Sequence, residues 1–243
     1  MQTRLIHEVR AVKNKKELLA ITKAQRISEQ VLSDVLDFLK TGVTEIEVSD
    51  FIKKQFIKYK APILSFVPIV AFGTGTADIH HVPTKNKLKI GDTIMLDFGT
   101  TVDHYCSDMT RTYFWGEPSK EQKDIYLAVE KAMGLAFAAL TKGERKCKKV
   151  DKVARDFLYK KFGKESFPHT LGHGVGTVIH EWPSFGPKSE DSVQEGYVMT
   201  IEPAVYIKDL GGVRIEDMIL ITKTGYKNLT QVPKDLEGAI LLP

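Results

Sequence analysis

Apolar side chains recur at helical spacing over residues 17–40, through Leu18, Ile21, Ile27, Val31, Val35 and Phe38, and the run stops short of Gly42, a good helix terminator. One long helix is predicted there. Thr44-x-x-Glu47 then matches a capping box, in which hydroxyl and carboxylate each satisfy a free backbone N–H, so a second helix is predicted to about Lys58. Strands are predicted at 63–72, 93–98 and 108–114. The plan restarts at Ser119-x-x-Gln122, another capping box, which opens a helix through Leu140; a shorter helix at 149–161 and strands at about 197–207 and 213–223 follow. Each half therefore reads as long helix, short helix and β-hairpin, with no linker rich in Pro, Gly or Ser between them. The expectation is one α+β domain over residues 1–243, with pseudo-symmetric halves of about 1–117 and 118–243.

Composition narrows the class. With 243 residues and 42% hydrophobic content the chain can bury a sizeable core. Its 35 basic and 31 acidic residues leave a net charge of +4, too balanced to imply nucleic-acid or membrane binding. The basic run at 142–149 reads as a solvated connection between helices, with an anion patch as the alternative. The longest apolar helical stretch, 127–140, carries Glu130 and Lys131 and is too short to span a bilayer. A charged start without the apolar core of a signal peptide, and two cysteines (Cys106 and Cys147) that make no disulfide framework, point to the cytoplasm.

The candidate chemistry begins with HTLGHGVGTVIHEWP, residues 169–183, where His169, His173 and His180 are interleaved with Gly172, Gly174 and Gly176. A dinucleotide loop would run into a helix, whereas Thr177-Val178-Ile179 is β-branched and predicts a strand. Clustered histidines suggest a metal or acid/base site if acidic partners lie elsewhere. Two hairpins supply them. Asp97 and Asp108 lie five residues either side of a turn near Val102-Asp103, so they are expected to face each other; Glu202 and Glu216 are symmetric about Asp209 in the second hairpin. Any one of these acids alone would be an ordinary exposed residue. Four in this arrangement would place like charges roughly 4.5–5.5 Å apart, and either a shared proton or a cation must neutralise them. With Ile94, Leu96, Ile201 and Ile215 drying the sheet, a divalent cation completed by a histidine of the 169–180 segment is the better counter-charge, and the oxygen-rich set suits Mn²⁺, Co²⁺, Fe²⁺ or Zn²⁺.

GDTIMLDFG, YCSDMTRT, HTLGHGVG, IHEWP, TIEP and GGVRIED, in that order, resemble the pita-bread metallopeptidases, and within them the Xaa-Pro aminopeptidase and prolidase branch; the resemblance covers about residues 10–230. It implies two divalent ions, Mn²⁺ first among the candidates, held by Asp97, Asp108, His173, Glu202 and Glu216. In that scheme Asp108 and Glu216 bridge the ions. It further implies that a metal-bridging hydroxide attacks the N-terminal Xaa-Pro bond, that Glu202 is the general base, that His180 stabilises the reacting carbonyl, that His80 contacts the substrate, and that His169 and Arg214 orient ligands. His81 is an alternative to His80. The implied partner is a peptide with proline at its second position, and the implied assembly a monomer or homodimer. Three positions depart from the branch pattern: no proline precedes the first histidine of ADIHHVP, Ala204 stands in EPAVY and His104 in VDHYCSD where glycine is common. Many relatives in the branch also carry an N-terminal domain. The rival readings are a methionine aminopeptidase and a non-catalytic peptide-binding module of the same fold.

Overall fold

The computed structural model describes residues 2–243, with side chains from residue 5 onward; Met1 and the first side chains of the charged start lie outside it. Three helices come first: α1 (Gln2–Ala11), which the hydrophobic pattern did not announce, α2 (Lys15–Phe38) and α3 (Glu45–Lys58). The Thr44 box caps α3 as expected, and an unanticipated box, Asn14 with Glu17, opens α2. After them come β1 (Ile69–Phe72), β2 (Thr93–Asp97), the two-residue strands β3 (Thr101–Val102) and β4 (Tyr105–Cys106), and β5 (Thr110–Trp115). The second half has α4 (Lys120–Thr141), capped by the Ser119 box, and α5 (Cys147–Phe162). Strands β6 (Gly172–Gly174), β7 (Glu181–Phe185), β8 (Val198–Ile201), β9 (Ala204–Ile207), β10 (Gly211–Arg214), β11 (Asp217–Thr222), β12 (Gly225–Asn228) and β13 (Ile240–Leu241) complete it.

One sheet has the order β1-β2-β5-β13 and another β12-β11-β8-β6-β7, with antiparallel pairing except for β13 beside β5. Helices α2 and α3 pack together, as do α4 and α5, and a continuous apolar core runs from Val31 and Phe56 through Met95 and Tyr126 to Met199 and Ile219. Burying a side chain of this size contributes about 1.5–3 kcal/mol. The sheets are stitched together between β5 and the segment before β11: Glu216 N–H donates to the Thr110 carbonyl (3.0 Å), and Thr112 Oγ1 accepts from Arg214 N–H (3.1 Å).

Four sequence expectations are corrected. Only the last part of 63–72 is strand, because Pro68 has no N–H to give to a ladder. Asp97 sits opposite Thr110, not Asp108, since the turn is centred on Asp103-His104, whose φ values of 49° and 70° make a two-residue hairpin loop. A shift of two in the pairing preserves the strand face, so Asp97 and Asp108 stay on one side as diagonal neighbours. The two long strands of the second hairpin are each broken, at Glu202-Pro203 and at Ile215-Glu216. Finally, residues 176–180 form no strand; the segment bends between β6 and β7.

Candidate metal centre

Interruptions in the ladders are what expose the acidic side chains. Pairing of Ala204 with Arg214 on one side of the breaks and of Ile201 with Asp217 on the other puts Glu202 across from Glu216, as the symmetry about Asp209 predicted. Pro203 withholds a ladder N–H at that point. Asp97 ends β2, and Asp108 lies in the irregular stretch before β5. His173 comes from β6, whose close approach to β8 requires glycine: a Cβ on Gly172 would lie 2.0 Å from the Thr200 carbonyl oxygen. The neighbouring strand, and not a metal, therefore demands that glycine. Thr200 Oγ1 accepts the His173 N–H (3.0 Å) and lies 3.3 Å from Glu202 Oε1, to which it donates.

Ligand atoms of Asp108, His173 and Glu216, all buried, lie within 4.8 Å of one another. His173 Nε2 is 3.6 Å from Asp108 Oδ2 and 3.4 Å from Glu202 Oε1. Its Nδ1–H donates to the Gly174 carbonyl (3.0 Å), which leaves an Nε2 lone pair facing the carboxylates. Burial holds His173 neutral, with its pKa lowered to about 4. Asp97 Oδ2 accepts from Arg214 Nη2 (2.7 Å), while its buried Oδ1 has no hydrogen-bond partner among the described residues. A lone pair, an orphaned carboxylate oxygen and three more acids converge here without enough donors, and a divalent cation is the species such a set fits.

Electrostatics agree with the geometry. Burial, then the charges of Glu216, Asp97 and Glu202, push Asp108 well above the usual carboxylate range. Glu216 is pushed up by burial and by Glu202 and Asp97, and Asp97 by burial against the pull of Arg214. Burial and the Asp97 charge raise Glu202 to about 8, with Arg214 opposing. Positive charge in the centre would oppose all four upward shifts.

The other predicted residues divide. Arg214 is 3% exposed and spends its N–H groups on Asp97, Tyr206 and Thr110; Thr110 Oγ1 in turn donates to Glu216 Oε2 (2.8 Å). His169 gives its Nδ1–H to the Thr170 carbonyl (2.8 Å), and its Nε2, 3.0 Å from the Tyr206 hydroxyl, accepts from it. His180 packs edge-on to His173 with ring centroids 4.4 Å apart. His80 is exposed and lines a cavity of about 720 Å³ that also contains the carboxylates, His180 and the apolar side chains of Phe66, Ile79 and Trp182. His81 is bound instead to the buried Glu45 carboxylate (2.9 Å), which leaves His80 the freer of the pair. Sequence reasoning missed Tyr206 and Thr110, single polar residues within strands whose role appears only when β5, β9 and β10 meet.

The signature of metallopeptidase family M24 matches residues 20–223. An uncharacterised peptidase of Staphylococcus epidermidis is 38% identical over 229 residues, covering 94% of this chain and 65% of that protein. The chain thus spans just under two thirds of the length of its curated relatives. Among solved structures, an X-Pro aminopeptidase from Thermotoga maritima superposes with a TM-score of 0.92 at 31% identity, covering 99% of this chain and 67% of the other. A prolidase from Pyrococcus furiosus gives 0.89 at 35% identity, covering 95% and 68%. The architecture is the pita-bread α+β fold, and the chain belongs to metallopeptidase family M24.

Proposed function

We propose that the chain is a dinuclear metallopeptidase that hydrolyses the N-terminal Xaa-Pro bond of peptides. The observation that carries the reading is the convergence of three buried carboxylates, the half-buried Glu202 and one neutral imidazole, with Asp97 Oδ1 left unpartnered among the described residues. Asp97, Asp108, His173, Glu202 and Glu216 would hold two divalent ions. Mn²⁺ is the proposed occupant, and Co²⁺, Zn²⁺ and Fe²⁺ suit the same donors. Bound there, such ions supply a water activated near neutral pH and positive charge for the substrate carbonyl.

The protein's own groups do the rest. The Glu202 carboxylate is the base that takes a proton and passes it towards the leaving nitrogen. His180 lies at the cavity wall beside His173, placed to donate an N–H to oxygen as negative charge develops. His80, on the cavity wall, meets the substrate, while Arg214 holds Asp97 in orientation directly and His169 braces Arg214 through the Tyr206 hydroxyl. The apolar walls at Phe66, Ile79 and Trp182 offer a dry surface for the proline ring. The named Xaa-Pro peptidase and prolidase neighbours support the proline preference. Neither nucleic acid nor membrane is part of the reading, and a cytoplasmic monomer or homodimer is proposed.

Release of the N-terminal residue from Xaa-Pro, Xaa-Pro-Yaa and Met-Ala-Yaa peptides after Mn²⁺ reconstitution tests it. Turnover of proline peptides that stops with chelator is expected. Cleavage after methionine alone would assign a methionine aminopeptidase, and metal binding without any cleavage would leave a peptide-binding module.

A further inference from the structure

Lys13 lies just beyond α1 and is 6% exposed. Its ammonium donates to the Arg10 carbonyl (2.7 Å) and the Ala11 carbonyl (3.4 Å), the last carbonyls of that helix, and to Glu181 Oε2 (3.1 Å). The other Glu181 oxygen accepts from Arg10 Nη2 (2.5 Å) and from the Thr177 and Val178 N–H groups (2.9 and 3.4 Å). Two charges withdrawn from water cost several kcal/mol apiece unless they are fully bonded, and hydrolysis as read above uses neither. Their bonding partners show what they organise.

Residues 176–180 have no ladder of their own, and the N–H groups of Thr177 and Val178 end on Glu181. The carboxylate fills the inside of this bend so closely that a Cβ on Gly176 would come within 2.4 Å of it. The bend delivers His180, the residue immediately before Glu181, to the cavity and to within 4.4 Å of the His173 ring. The buried Lys13 ammonium binds this carboxylate and the negative end of α1 at once, so the bend is fastened to α1 across 168 positions of sequence.

We infer that Lys13 and Glu181 are positioning residues that hold the 176–180 bend so that His180 faces the carboxylate centre. The inference rests on the peptidase reading for the role of His180.

Two measurements test it on the Mn²⁺-loaded chain, with Lys13→Met, Lys13→Arg, Glu181→Gln and His180→Ala. Amide hydrogen exchange over 175–182 should quicken at least tenfold beyond any change in the core strands in Lys13→Met and Glu181→Gln, and stay slow in Lys13→Arg and His180→Ala. With a proline tripeptide, Lys13→Met should lower kcat by about 10- to 100-fold at constant KM, since a misplacement near 1 Å can cost about that much. Lys13→Arg should restore most of the loss, and Lys13→Met should lower kcat no further in a His180→Ala background. Unchanged exchange in both Lys13→Met and Glu181→Gln, or an equal loss of kcat with and without His180, overturns the inference. If the parent chain cleaves no peptide, the peptidase reading fails by itself, and the exchange measurement still decides whether Lys13 and Glu181 hold the bend.

Discussion

At the scale of single residues, the centre is defined by an imbalance of acceptors over donors. Glu202→Gln keeps the shape and the hydrogen bond from Thr200 but removes the proton acceptor; it should lower kcat by about 10²–10⁴-fold, the usual worth of a general base, with an unchanged melting curve. An unaltered rate would dismiss Glu202 as the base. Asp97→Asn tests the orphaned oxygen: it should reduce the stoichiometry of Mn²⁺ binding seen by calorimetry, and two tightly bound ions in the variant would show that Asp97 is not a ligand. The acids and histidines themselves were candidates from the sequence, because carboxylates placed symmetrically about two hairpins beside apolar residues such as Leu96, Ile201 and Ile215 need a counter-charge. The choice between His80 and His81 was not, since it depends on Glu45 from another helix reaching His81.

Elements place these residues, and buried ion pairs place the elements. Arg111, 1% exposed on β5, donates to Asp217 Oδ1 (2.7 Å) and to the Glu216 carbonyl (2.6 Å), so it fixes β11 and the backbone of a proposed ligand together. Arg111→Met leaves Asp217 buried with a weakened counter-charge and should cost about 3–5 kcal/mol in urea unfolding; a loss below 1 kcal/mol would show that Lys234 alone suffices. Glu45 similarly pins the 78–86 loop through His81 and Thr84, and β1 through the Phe72 N–H. Burial would raise its pKa, but those bonds outweigh burial and hold it below the ordinary value. A depressed carboxyl pKa adds stability above the unfolded-state value of about 4.3, which is lost as pH falls through the lower folded-state value. Glu45→Gln should therefore destabilise the protein at pH 7, and the difference from the parent should shrink below pH 4; a pH-independent difference would refute the assignment. Helices α2 to α5 were readable at this scale from capping boxes and periodicity, whereas α1 and the exact turn of the first hairpin were not. Strand breaks and the 176–180 bend were not, because β-branched Thr177-Val178-Ile179 favours a strand until the Glu181 carboxylate claims its N–H groups.

For the whole molecule, the continuous core and the stitching of the two sheets at Thr110 and Glu216 make the centre a product of global folding. Urea unfolding of the chain should show one transition, monitored alike by tryptophan fluorescence and circular dichroism. Cations that bind only the folded state should raise its stability by about 2.7 kcal/mol per site at a hundredfold excess over Kd, and chelator should remove the increment. A melting temperature indifferent to Mn²⁺ and chelator would argue against the metal centre. The local order of the helices α2 to α5 and the Glu202–Glu216 pairing about Asp209 follow from the sequence alone, because capping, periodicity and hairpin symmetry act over a few residues. The acceptor-rich pocket, the diagonal placement of Asp97 and Asp108, the Tyr206–Arg214–Asp97 bonds and the Lys13–Glu181 tie were decided only in three dimensions, since each joins groups from separate elements whose mutual burial alone makes an unpartnered oxygen or charge costly.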